Sequence, residues 1–171
     1  MQFPDLTPTL GTIHWCAVGA AAARLYMPER MTDDLDILIH IDDSQDAQER
    51  MTNAKFVYQG RLSIGGSQWL SPENFPIDLL YGEEKWVKAA LLEAQANRDA
   101  QGIPILPLPY LVLMKFIASR VQDVADISRM LGQATEPQLA SVRAVFQRWL
   151  PGNDEDLDSL ISLGQLEFGS A

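Results

Sequence analysis

"RMTDDLDILIHI", residues 30–41, sets Arg30, Thr32, Asp34 and Asp36 at the head of a run of branched apolar residues. The run reads as a largely buried strand. Successive side chains of a strand point to opposite faces, so Asp34 and Asp36 are expected on one face with Leu35 turned away. Two like charges side by side repel unless something positive lies between them. Solvent, an arginine or a divalent metal would each serve.

Upstream, "TIHWCAV" (12–18) is a second apolar, β-rich run that stops at Gly19. "AAAARLY" follows with strong helix propensity and is closed by Pro28. Downstream, "DDSQDAQERMTNA" (42–54) reads as an exposed helix capped by Asp42 or Asp43. "KFVYQGRLSI", "SQWLS" and "FPIDLLYG" are short strands separated by Gly and Pro. "EEKWVKAALLEAQANRD" (83–99) is an amphipathic helix with Trp86, Ala89, Ala90 and Leu92 near one side, and "IPILPL" is extended. The pattern "YLVLMKFIASRVQDVADISRMLG" (110–132) is helical, with a break near Gln122 and a stop at Gly132. "EPQLASVRAVFQRWL" adds another helix with Pro137 in its first turn. The order implies an α+β (mixed α/β) domain: a mixed sheet flanked by helices over 1–100, a helical part over 101–150, and an acidic tail over 151–171, either a short helix or loose.

The chain has 171 residues, 47% of them apolar, enough for a real core. No apolar run approaches the roughly 18 residues of a membrane span, and the N-terminus lacks the regions of a signal peptide. The lone Cys16 excludes an internal disulfide and suits a reducing cytoplasm; it reads as a core thiol. A net charge of -10 argues against general affinity for nucleic acid. Asp154, Glu155, Asp156, Asp158 and Glu167 of the tail carry half of it, whereas eight of the thirteen basic residues lie between Lys85 and Arg148.

Three features bear on chemistry. "VGAAAA" is a strand-to-helix turn with a Gly, where backbone N–H groups can hold phosphate. "TDDLDILI" and "PIDLLYG" offer Asp34, Asp36 and Asp78 at strand positions able to converge. Asp36 and Asp78 each sit within apolar neighbours, where an acid needs a cation or hydrogen bonds. Together these resemble the minimal nucleotidyltransferase superfamily, the polymerase-beta-like fold, whose signature is a Gly-Ser or Gly-Gly turn, a spacer, Asp-x-Asp and a later third Asp. Here thirteen residues separate Gly19-Ala20 from Asp34-Leu35-Asp36. The closer resemblance is to AbiEii-type toxin nucleotidyltransferases, through "R-x-T-x-D-x-D" (Arg30, Thr32, Asp34, Asp36) and a helix with Lys115, Ala118, Arg120, Asp123 and Asp126.

That resemblance implies a nucleotidyltransferase-like mixed sheet. It implies Asp34, Asp36 and Asp78 as ligands of Mg2+ or Mn2+, Gly19 and Ala20 as the phosphate turn, and an NTP as substrate. Arg30, Thr32, Lys115 and Arg120 become nucleotide contacts, while Asp123 or Asp126 orients Arg120 or helps deprotonate the acceptor. The acceptor is a tRNA end, a protein hydroxyl or a small molecule such as an aminoglycoside, and a cognate antitoxin is an implied partner. Ala20 departs from the motif by removing a hydroxyl from the turn. A non-catalytic nucleotide-binding or partner-binding protein on the same fold is the alternative. Gly19 as a plain turn, Lys115 and Arg120 as solvated helix borders, and Asp126 paired with Arg129 are the structural readings of the same residues.

Overall fold

The structure, a computed structural model, describes residues 2–27 and 31–168, so Pro28 and Arg30 lie outside the described residues. The chain divides into two units, Met1–Ala22 with Met31–Leu106, and Ala23–Arg30 with Pro107–Ala171. A mixed sheet with helices makes up the first and helices the second, an α+β protein with a helical C-terminal half. Among the described residues no helix is long and apolar enough to cross a membrane.

The elements of the first unit run α1 (Thr7–Leu10), β1 (Trp15–Ala17), α2 (Gly19–Ala23, whose last residue belongs to the second unit), β2 (Leu35–His40), α3 (Ser44–Asn53), β3 (Val57–Arg61), β4 (Gly66–Leu70), β5 (Pro76–Gly82) and α4 (Val87–Ala94). Strand order is β1-β2-β5-β4-β3. The β2–β5 pair is parallel and the other neighbours antiparallel. A parallel pair requires a crossover, supplied here by α3 and the β3–β4 hairpin. Leu35, Ile37, Ile39, Ile77 and Leu79 alternate along β2 and β5 and are fully buried, which fixes which way both strands face. β1 is shorter than its apolar run. Its free edge is covered by the 103–106 stretch, where Ala17 N donates to Pro104 O at 2.8 Å and Leu106 N donates to Ala17 O at 3.0 Å.

The helix expected over 83–99 is regular only at Val87–Ala94. Its buried stripe is Val87, Ala90, Leu91 and Ala94, the i, i+3, i+4, i+7 spacing of one face. Leu92, expected inward, is 63% exposed.

The second unit contains α5 (Leu108–Ala118), α6 (Val121–Gly132), α7 (Glu136–Trp149) and α8 (Asp154–Phe168). The break in the long helical pattern falls at Ser119–Arg120, slightly ahead of Gln122. Ser119 adopts a left-handed φ of 53° and its N–H caps α5 on Lys115 O at 3.0 Å. Arg120 is extended and starts α6. Thr135 and Gln138 close a capping box at the head of α7, with Pro137 in the first turn as expected. Phe116 of α5 meets Phe146 of α7 edge to face at 5.2 Å.

The acidic tail is a full helix rather than a loose end. Leu157, Ile161 and Gly164 form its buried face, and Arg143 and Arg129 pair with Asp158 and Glu167 at 3.0 and 3.3 Å. α8 crosses α6 glycine on glycine: a Cβ on Gly164 would collide with Ser128 O and stand 2.7 Å from Gly132 N. Gly132 therefore serves helix packing as well as marking a helix end.

Candidate active site

Asp36 and Asp78 are register partners on the parallel strands β2 and β5. Partners in a parallel pair share a face, so the two carboxylates stand side by side on half-buried positions between fully buried neighbours. The apolar alternation that sends Leu35, Ile37, Ile77 and Leu79 into the core turns both acids to the opposite face.

Gly19 holds the near side of this pair. It opens α2 with φ +59°, and a Cβ there would collide with Asp36 Oδ2 and lie 3.0 Å from Asp36 Cγ. The preceding peptide is also tied to the same residue, Val18 N donating to Asp36 O at 2.9 Å. The "VGAAAA" turn is thus built directly against the Asp36 carboxylate, and only a residue without a side chain fits at its first position. Ala20 follows, half-exposed, within α2.

Asp34 is not in the strand. β2 begins at Leu35, and Asp34 lies in the bend before it. The expected strand alternation of Asp34 and Asp36 therefore does not extend that far. Thr32 Oγ1 donates to Asp34 Oδ1, a turn-type local bond that holds the carboxylate. Among the described residues no three or more His, Cys, Asp or Glu side chains are gathered as a metal group.

The donors nevertheless suit Mg2+. It takes oxygen ligands and is commonly bound through one or two carboxylates together with substrate phosphates and waters. Asp36 and Asp78 supply two carboxylates in register.

Gly19→Ala is expected to destabilise the protein by about 1–3 kcal/mol through overpacking and a forced left-handed φ. It should also displace the Asp36 carboxylate. Denaturant melts would show the first effect, and a change of the Asp36 13C carboxyl resonance the second.

The remaining predicted residues lie in the second unit, on α5 and α6. Lys115 is 6% exposed, not a solvated border residue. Its Nζ donates to Asp123 Oδ1 at 2.9 Å and Asp126 Oδ2 at 2.8 Å, both acids being 2% exposed. Arg120 Nε donates to Asp123 Oδ2 at 2.6 Å, while the Arg120 side chain is 71% exposed. Gln122 Nε2 donates to Asp126 Oδ1 at 3.1 Å. Asp126 thus engages Lys115, one helix away, rather than Arg129 on its own helix. The turn at Ser119 makes this possible, because it folds α6 back so that its first turns face Lys115.

Burial raises the Asp123 carboxyl, but hydrogen bonds from Arg120 and Lys115, with their charges, outweigh it and hold the group below its ordinary value of 3.8. Between the folded and unfolded values the unfolded chain binds more protons, so stability rises with pH in that window. The contribution of Asp123 is complete above about pH 5 and lost as pH falls below about 4. Urea melts at decreasing pH should show that loss, and it should be smaller in Asp123→Asn.

No protein-family model matches the chain, and no curated protein gives a significant match. Among solved structures, the antibiotic-resistance factor ANT(2'')-Ia in solution is similar at 13% identity and a TM-score of 0.46, over 92% of this chain and 85% of that one. ANT(2'')-Ia in complex with adenylyl-2''-tobramycin is similar at 13% identity and a TM-score of 0.44, over 91% and 89%.

One residue of the carboxylate face escaped the reading of the sequence. Gln68 of β4 is the register partner of Asp78, and its Nε2 donates to Asp78 Oδ1 at 3.1 Å. Alternation in "SQWLS", with Trp69 buried and Gln68 exposed, was the available signal for its side of the sheet. Its partner strand was not legible.

Proposed function

We propose that this chain is a Mg2+-dependent nucleotidyltransferase that moves a nucleotide from an NTP to an acceptor hydroxyl. The observation that supports this most is the in-register pair Asp36–Asp78 with the Gly19 turn seated against Asp36. In the reaction the acceptor oxygen bonds to the α-phosphorus, the bond from that phosphorus to pyrophosphate breaks, and the hydroxyl proton leaves to a base or water. Asp36 and Asp78, with Asp34 as the third acid, would hold Mg2+ or Mn2+. The ion, when bound, neutralises triphosphate charge and stabilises the attacking and leaving oxygens.

Backbone N–H groups at Gly19 and Ala20 receive terminal phosphates, and Thr32 orients Asp34. Of the other residues that the resemblance implies, Arg120 keeps an exposed guanidinium, fixed by Asp123, that suits a phosphate, whereas Lys115 is buried and engaged by Asp123 and Asp126. The acceptor is a tRNA end, a protein or a small molecule. The setting is a cytoplasmic AbiEii-like toxin–antitoxin or phage-defence system with a cognate antitoxin.

A second reading, a nucleotide-binding protein without transfer activity, is favoured by Ala20 in the turn and by a gathered pair of acids rather than three. Incubation with Mg2+ and α-32P- or γ-32P-labelled NTPs, with tRNA, protein and aminoglycoside acceptors, separates the two. Transfer of the α label alone supports the enzyme. Nucleotide binding without label transfer to any acceptor supports the second reading.

A further inference from the structure

The row of Asp36 and Asp78 continues onto β4, where Gln68 stands directly opposite Asp78. Cross-strand partners share a face and their side chains meet. Beyond Gln68 the row ends at Gly60 of β3, where a Cβ would meet nothing within 4 Å. Gln68 is therefore the flanking side chain of Asp78 on the side away from Asp36. Its amide takes Oδ1, and Oδ2 has no hydrogen-bond partner among the described residues.

The charge of the donor matters. A Lys or Arg at this position would neutralise Asp78 and repel a cation, and an acid would leave Asp78 undirected between two negative neighbours. A neutral amide orients a carboxylate while leaving its charge unspent. Gln68 thus does for Asp78 what Thr32 does for Asp34 in the bend ahead of β2: a neutral donor holds one carboxylate oxygen.

We propose that Gln68 is a positioning residue for Asp78, holding Oδ1 so that Oδ2 is presented to the divalent ion. This rests on the nucleotidyltransferase reading. Hydrogen bonds to metal-binding carboxylates typically contribute 10–100-fold in metal affinity.

The test compares wild type, Gln68→Ala and Gln68→Met, the last keeping the stem without the donor. Thermal unfolding is followed as Mg2+ is raised at a fixed level of the NTP to which the wild type responds. Gln68 is exposed, so the melting temperature without Mg2+ should be unchanged in both variants. Both should need about tenfold more Mg2+ for half of the full shift. A wild-type Mg2+ requirement in either variant overturns the positioning role, and recovery in Gln68→Met alone would assign the residue to packing. If the wild type responds to no NTP with Mg2+, the nucleotidyltransferase reading fails and this proposal with it.

Discussion

Asp36→Asn is expected to abolish nucleotide transfer, by about a thousandfold or more, while the protein folds as before. The side chain keeps its size and its capacity for hydrogen bonds, so the variant should still fold cooperatively. Function should not survive. Asp36 is the acid that both lies against the Gly19 turn and pairs with Asp78, so in the proposed site it would link the backbone that receives phosphate to the carboxylates that hold the ion. An amide offers the ion one neutral oxygen in place of a charged carboxylate. Loss of charge stabilisation worth about 4 kcal/mol at the transition state corresponds to that thousandfold. Pyrophosphate release with the preferred NTP measures the rate, and a denaturant melt confirms the fold. Retained turnover in a folded Asp36→Asn protein would move the chemistry elsewhere.

Lys115→Ala should have the largest effect on stability, about 3–5 kcal/mol. The ammonium is buried and shared by two buried acids at 2.9 and 2.8 Å. Its removal takes the shared ammonium away from both acids and opens the space of a four-carbon stem at α5. Replacing the three charges together, Lys115→Met with Asp123→Asn and Asp126→Asn, should recover much of the loss, because it removes the buried acids along with the ammonium they share. Urea melts of the two proteins check this. A cost below about 1 kcal/mol for Lys115→Ala would mean that water reaches the site and screens it as on a surface.

Much of the fold was legible because period-2 and period-3.6 apolar patterns report which face is buried. The runs at 35–41 and 75–82 gave two central strands, and Pro137 marked the head of a helix. What failed depended on partners. The carboxylates of Asp36 and Asp78 were visible as acids in apolar runs, but their register is set by a crossover through α3 and a hairpin, which no local pattern encodes. Asp34 looked like a strand residue until Thr32 captured it in the preceding bend. Lys115 was expected as a nucleotide contact or a solvated border residue, and its burial was hidden because its two acids lie beyond a turn at Ser119, where a non-Gly residue in the left-handed region gives little warning. The tail left a short helix and a loose end both open, and the stripe of Leu157, Ile161 and Gly164 decides for the helix.

The most direct test is thermal unfolding of the wild type and Asp36→Asn with Mg2+ alone, each NTP alone and both together. Ligand at about 100 times its dissociation constant adds roughly 2.7 kcal/mol, a shift readily seen. The predicted result is a rise in melting temperature that requires Mg2+ and a nucleotide together and vanishes in Asp36→Asn. No rise with any NTP, or an equal rise in both proteins, would contradict a metal–nucleotide site at the Asp36–Asp78 pair.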